Sequence, residues 1–89
     1  MSGYDSRIHT WADGYGRWHA LVPATMASPI IAARGAIRRE LEGRSETGAT
    51  RAELSAYVRE NITQRRVQSE PGYVEFVEYE LGTKREDNI

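Results

Sequence analysis

The chain has 89 residues, of which 39% are hydrophobic and 28% charged, and its formal net charge is −1. This length is that of one small domain, and the composition argues against intrinsic disorder. The absence of cysteine excludes disulfides and cysteine-ligated metal sites, and no apolar run approaches the roughly 18 residues of a membrane helix. We therefore expect a soluble cytoplasmic protein with no cofactor and no membrane partner.

The first predicted element is a β-hairpin near the N-terminus. Its strands, about Arg7–Ala12 and Arg17–Val22, are rich in aromatic and β-branched residues. Between them lies Asp13-Gly14-Tyr15-Gly16, whose glycines tolerate the positive φ angles of tight turns. We predict a two-residue tip at Gly14-Tyr15.

This tip determines which side chains face each other across the hairpin. It places Trp11 opposite Trp18 and Thr10 opposite His19, so that both tryptophans lie on one apolar face. His9 and His19 then lie on opposite faces. A slip of one residue would move one tryptophan to the other face, and would bring the histidines towards the turn aspartate.

A helix is predicted after Pro23, which ends the second strand. Ser28-Pro29 is a typical helix start, and the helix is expected to run from Pro29 to about Glu42, with Gly43 as a left-handed terminator. The positions expected to be buried recur at helical spacing: Ile30, Ala33, Ile37 and Leu41. The opposite stripe is polar: Arg34, Arg38 and Glu42.

The second predicted helix covers about Arg51 to Asn61. It begins with a capping box, Thr50-Arg51-Ala52-Glu53, in which the Thr hydroxyl and the Glu carboxylate each accept from a free N–H. Its apolar side is formed by Leu54, Tyr57, Val58 and Ile62. Its polar stripe is formed by Arg51, Ser55 and Arg59.

The C-terminal third is predicted to contain the last strand. Thr63 to Ser69 fits either a short strand or an irregular exit from the helix, and Glu70-Pro71-Gly72 is typical of a type II turn. Tyr73 to Leu81 is rich in Val, Phe and Tyr and is predicted to be a strand, whereas residues 83–89 form a flexible tail. Alternation places one set of side chains on one face: Tyr73, Glu75, Val77, Tyr79 and Leu81. The other face carries Val74, Phe76, Glu78 and Glu80.

These elements predict one α+β domain over residues 1–82, in the order β-β-α-α-(β)-β. Two amphipathic helices bury their apolar sides by packing against a sheet, and the apolar face of the hairpin is buried by the same contact. We therefore predict a two-layer sandwich, in which an antiparallel sheet is covered by two helices. The final strand is expected to join the N-terminal hairpin.

The sequence contains no pattern typical of an enzyme. It has no G-x-S-x-G, no Walker loop and no G-x-G-x-x-G. Histidines on opposite faces cannot share a metal ion, and catalytic zinc requires three protein ligands. We interpret Glu75, Glu78 and Glu80 as a solvated strand face, and predict no catalytic residue and no metal site.

A protein-binding role is the favoured hypothesis. Tyrosine, tryptophan and arginine are the residue types that anchor interfaces, and the last strand is expected to be a sheet edge open to a partner strand or to a second copy. The candidate partner-binding residues are Tyr15, Arg17, Tyr73, Glu75 and Tyr79. The partner is expected to be a protein.

The alternative hypothesis is arginine-mediated binding of nucleic acid, in the manner of a transcription regulator. ATRAELSAYVRE resembles the first helix of many helix-turn-helix units, although a recognition helix is not evident after it. The arginines that would contact phosphates are Arg34, Arg38, Arg39, Arg51, Arg59, Arg65 and Arg66.

Two resemblances add context. The run TWADGYGRWHALVP followed by AARGAIRREL resembles small uncharacterised proteins encoded by actinobacterial phages, which implies a cytoplasmic accessory protein that acts on a host protein. The order of hairpin and helix, with DGYGRWHALVP before AARGAIRRELEG, is also similar to the HicB-type antitoxin core. Neither resemblance implies a role for any particular residue.

Overall fold

The computed structural model describes residues 7–44, 48–68 and 75–82, which form an α+β domain of two helices and a four-stranded antiparallel sheet, as predicted. The predicted turn at 70–72 and the tail at 83–89 lie outside these residues. The elements are β1 (His9–Ala12), β2 (Trp18–Pro23), α1 (Pro29–Arg44), α2 (Arg51–Asn61), β3 (Ile62–Gln68) and β4 (Phe76–Leu81).

The strands are arranged in the order β1-β2-β4-β3. The last strand joins the N-terminal hairpin, as predicted, and it pairs with β2, with Val22 opposite Val77. The prediction that the last strand forms a sheet edge is wrong, because residues 62–68 form a strand that covers its other side. The edges are β1 and β3, so self-association through an exposed β4 edge is ruled out.

The register of the hairpin differs from the predicted one by one residue. Trp11 lies opposite His19, and Ala12 lies opposite Trp18. The cause is a loop of three residues instead of two. The N–H of Asp13 donates to the carbonyl of Arg17 (2.9 Å), the N–H of Gly16 donates to the carbonyl of Asp13 (3.0 Å), and Gly16 has a φ of 81°.

This register separates the tryptophans and brings the histidines to one face. Trp18 lies on the face that the helices cover, whereas Trp11 lies on the uncovered face with His9 and His19. The predicted separation of the two histidines is therefore wrong. The uncovered side of the sheet is called the outer face below.

Both helices pack against the other side of the sheet. Ile37 of α1 and Val58 of α2 are fully buried with Val22 of β2 at the centre of the core. The helix α1 starts at Pro29, as predicted, and continues to Arg44, so Gly43 does not act as a left-handed terminator. Among the residues described, neither helix has the length and hydrophobicity needed to cross a lipid bilayer.

The bounds of α2 and its capping box are as predicted. The Thr50 hydroxyl accepts from the N–H of Glu53 (3.1 Å), and the Glu53 carboxylate accepts from the N–H of Thr50 (2.8 Å). The bond that the Thr50 N–H donates to the carboxylate is the largest cause that lowers the pKa of Glu53, since it favours the charged form. The chain passes directly into β3 at Ile62, which is extended, so the segment 62–68 that follows α2 is a strand and not a recognition helix.

Candidate functional site

A cluster of ionisable side chains lies on the outer face of the sheet. The pairing of β2 with β4 places His19 opposite Glu80 and Leu21 opposite Glu78, and the hairpin turn adds Asp13. Glu78 is only 6% exposed. The interpretation of Glu78 and Glu80 as a solvated strand face is therefore wrong, because other side chains of the outer face cover them.

His19 is at the centre of this cluster. Its Nε2 lies 2.7 Å from Oδ2 of Asp13 and 3.7 Å from Oε2 of Glu80, and its Nδ1 lies 3.1 Å from Oε2 of Glu78. Carboxylates only accept, so both short contacts are hydrogen bonds only when both ring nitrogens carry a proton. The Trp11 ring stacks on the imidazole with a centroid distance of 5.1 Å and an interplanar angle of 5°.

Hydrogen bonds give Asp13 an unusually low pKa. The bond to His19 is the largest cause, and the N–H groups of Arg17 and Tyr15 add to it by donating to Oδ1 at 3.0 and 2.8 Å. Together they lower the pKa of Asp13 from 3.8 to about 2. Asp13 therefore remains a carboxylate over the physiological range of pH.

Three arginines surround the same carboxylates. Arg17 and Arg65 each lie 3.6 Å from an oxygen of Glu80, and Nε of Arg66 donates to Glu78 at 3.1 Å. The register of β3 shifts between Gln64 and Arg66, which allows these consecutive arginines to reach carboxylates on the same face. The cluster thus connects the hairpin, β4 and β3 through charge pairs.

This geometry has features of a metal site, which the sequence did not predict. Asp13, His19 and Glu80 each offer a ligand atom, and the three atoms lie within 4.8 Å of one another. However, arginines contact both oxygens of Glu80, and Nε2 of His19 already bonds Asp13. The positive charge that a cation would supply is present in these side chains, so we interpret the cluster as an ion-pair network.

The same contacts argue against a role for His19 as a general base. Such a base requires a free ring nitrogen within hydrogen-bond reach of the proton that it removes. Both nitrogens of His19 are engaged by carboxylates, and the ring is buried. This arrangement holds the imidazole in place without presenting it to a substrate.

The hairpin tip is a predicted binding position that is strongly exposed. Tyr15 is 84% exposed, and Cζ of Arg17 lies 5.5 Å from the centroid of its ring, a cation–π contact. Asp13 fixes the backbone within the loop, at Tyr15, and at its end, at Arg17, through two hydrogen bonds. The tip therefore presents an aromatic side chain on a well-defined turn.

Of the other predicted partner-binding residues, the structure describes Glu75 and Tyr79, and neither lies at the hairpin tip. Glu75 is exposed and precedes β4, with its carbonyl accepting from the N–H of Ala24 (2.8 Å). Tyr79 is only 4% exposed and belongs to the core, and its burial raises its pKa. Its prediction as a partner-binding residue is therefore wrong, since the inward side of β4 is covered by the helices. Tyr73 lies outside the described residues.

The predicted nucleic-acid-binding arginines do not form one surface. Arg65 and Arg66 contact carboxylates on the outer face of the sheet. Three others line a groove in the helical layer, on the opposite side: Arg34, Arg38 and Arg59. Arg39 borders a small pocket between α1 and β1, and Arg51 is exposed at the start of α2.

Comparisons of the chain with protein families, with curated proteins and with solved structures found no match. Function is therefore inferred from the residues and their geometry. The sequence-based prediction missed the network of Asp13, His19, Glu78 and Glu80, although its alternation of β4 correctly placed both glutamates on one face. The missing information was the register of the hairpin, which the three-residue loop determines.

Proposed function

We propose that the protein is a small non-enzymatic binding protein that recognises a protein partner through its N-terminal hairpin. The surface consists of Trp11, Tyr15 and Arg17 and is called the hairpin surface below. The observation that carries this proposal is the exposure of Tyr15, 84%, on a turn held by hydrogen bonds to Asp13.

The composition of the hairpin surface supports a protein partner. Tryptophan, tyrosine and arginine are enriched among the residues that contribute most to binding free energy. Trp11 is partly exposed and its stacking on His19 orients the indole, while the contact with Arg17 restricts Tyr15. Because these side chains are already ordered, a partner would lose less conformational entropy in binding them.

The nucleic-acid alternative has less support. Two of the seven arginines, Arg65 and Arg66, are paired with Glu80 and Glu78 on the sheet face opposite the helices. A protein that binds nucleic acid contacts the phosphates through a continuous basic surface. We further propose, from the resemblance to phage accessory proteins, that the partner is a host protein and that binding occurs in the cytoplasm.

Site-specific photo-crosslinking tests this proposal. A photoreactive phenylalanine analogue replaces Tyr15 in one protein and Val67, an exposed residue of β3, in the control. We expect a discrete protein adduct at position 15 that survives nuclease treatment and is missing at position 67. Equal adducts at both positions, or adducts only with nucleic acid, would contradict the proposal.

The partner identified in this way allows affinity to be measured. Tyr15→Ala is expected to weaken binding by about 2 kcal/mol, roughly thirtyfold in Kd, as for a hot-spot residue. Val67→Ala serves as the control and is expected to bind as the wild type does. Unchanged affinity in Tyr15→Ala, with the fold verified by circular dichroism, would count against the hairpin surface.

A further inference from the structure

A groove of about 220 Å³ lies between the two helices, and it carries an unusual concentration of arginine. Residues three or four apart on each helix lie on one face, so the polar stripes of α1 and α2 meet there. No acidic residue is among its lining residues, which are Ile31, Arg34, Gly35, Arg38, Ser55 and Arg59. The groove therefore presents guanidinium and hydroxyl donors, and no carboxylate among its lining residues accepts from them.

One of these donors lacks a partner. Nε of Arg34 is enclosed by the protein and makes no hydrogen bond. Across residues 7–44, 48–68 and 75–82, no ion pair reaches Arg34 or Arg59, whereas Arg38 donates to Glu42 at 2.7 Å. A buried donor without an acceptor is costly. Because Nε itself is enclosed, an anion in the groove would meet the part of the Arg34 guanidinium that lines it, and would offset the cost of burying this positive charge.

We infer that this groove binds the phosphomonoester group of a small phosphorylated molecule. The three arginines and Glu42 carry a formal charge of +2 together. A phosphomonoester carries about −1.5 to −2 near pH 7, which matches this charge. Guanidinium groups bind phosphate oxygens through paired N–H donors, and the Ser55 hydroxyl adds another donor.

The size of the groove favours a terminal phosphate over a nucleic-acid backbone. Pockets that enclose a whole small ligand measure roughly 300 Å³ or more, so this groove accommodates one charged group while the rest of the molecule stays outside. Ile31, at the rim, is 63% exposed and offers an apolar contact for that remainder. Arg65 and Arg66 lie beyond the sheet and cannot extend the groove into a row of phosphate contacts.

The first experiment compares three small probes at constant ionic strength: inorganic phosphate, methyl phosphate and dimethyl phosphate. Calorimetry and NMR of the arginine Nε–H signals follow binding to the whole protein. We expect saturable binding of the first two, with a change in the Arg34 Nε–H signal, which reports on the state of its guanidinium, and binding of dimethyl phosphate that is at least about tenfold weaker. Equal binding of dimethyl phosphate would overturn the inference and indicate a site for phosphodiesters, and the absence of saturable phosphate binding would overturn it outright.

The second experiment compares substitutions with equal change of charge. Arg34→Gln and Arg59→Gln are each expected to weaken methyl phosphate binding about tenfold or more. Arg51→Gln is the control, because Arg51 is exposed on the same helix as Arg59 but does not line the groove. Equal weakening in all three would show a nonspecific charge effect and overturn the inference. Arg59 is exposed, so its variant provides a test that does not depend on the enclosed Arg34.

Discussion

Asp13 shows how one side chain connects the hairpin turn to the outer face. One carboxylate oxygen accepts from the N–H groups of Tyr15 and Arg17, and the other bonds His19. The first oxygen orders the exposed tip, and the second joins it to the network around Glu78 and Glu80. The hairpin surface that we propose for binding therefore depends on a residue that is not one of the three proposed to contact the partner.

The low pKa of Asp13 predicts a pH dependence of stability. Because the folded-state pKa, about 2, lies below the ordinary value of 3.8, the charged carboxylate stabilises the fold above about pH 4. This contribution is lost as the pH falls from about 4 towards 2. In Asp13→Asn the carboxylate is missing, so urea unfolding should show a stability deficit near pH 6 that shrinks as the pH approaches 2.

Two measurements check this prediction. NMR titration of the Asp13 carboxyl carbon in the folded protein should give a midpoint near 2. A constant difference in unfolding free energy between wild type and Asp13→Asn from pH 6 to pH 2 would contradict it. The comparison with Asn removes the effects of the other carboxylates, which titrate in both proteins.

Among the elements, the hairpin loop has the largest consequence for the rest of the molecule. A loop of three residues ending in Gly16, with a φ of 81°, closes on the pair Asp13 and Arg17. A two-residue loop would have exchanged the faces of Trp18 and His19. The single additional residue therefore places His19 among carboxylates on the outer face and Trp18 beneath the helices.

Substitution of the loop glycines tests this role. Gly16→Ala is expected to lower the free energy of unfolding by about 1 kcal/mol or somewhat more, since a side chain disfavours positive φ. Gly14→Ala is the matched control, because Gly14 does not have positive φ and a Cβ there would meet nothing within 4 Å. Denaturant titration of both variants measures the difference, and equal stabilities would argue against a required left-handed residue at position 16.

On the scale of the whole molecule, the helical layer and the inner face of the sheet share one small core. Ile37, Val22 and Val58 are fully buried and come from α1, β2 and α2 respectively. The outer face contributes a separate, polar layer in which Glu78 and His19 are buried side by side, with Nδ1 of His19 3.1 Å from Oε2 of Glu78. The two layers lie on opposite sides of the sheet. A substitution in one layer is therefore expected to alter the packing of the other only through the strands.

The burial of Ile37 leads to a prediction for the stability contributed by α1. Ile37→Ala is expected to lower the unfolding free energy by about 3 kcal/mol, within the roughly 2–5 kcal/mol of such truncations, because it leaves a cavity. This is a large part of the stability of a small domain. Ile31→Ala on the same helix, where the side chain is 63% exposed, should change it by less than about 1 kcal/mol. Similar losses in both variants, measured by denaturant titration, would contradict the position of Ile37 at the centre of the core.

The sequence by itself determined the elements whose signals are local. The capping box at Thr50 and Glu53 and the Ser28-Pro29 start each act within one turn of helix, and the structure contains both helices where they predict them. Alternation along the last strand correctly placed Val77 on the face opposite Glu78. Hydrophobic patterning was sufficient for the α+β class, because amphipathic helices and strands have few ways to cover each other.

Only the tertiary structure decided the register and the meeting of distant side chains. Loops of two and three residues are both compatible with Asp13-Gly14-Tyr15-Gly16, and they differ by one residue in pairing, which reverses every face. Residues 62–68 form a strand because β4 offers them a pairing edge. Their pairing in turn makes β4 an interior strand of the sheet. The ion-pair network and the arginine groove bring together residues far apart in the chain. His19 lies beside Glu78, and Arg34 and Arg59 line the same groove, and no local pattern encodes such proximity.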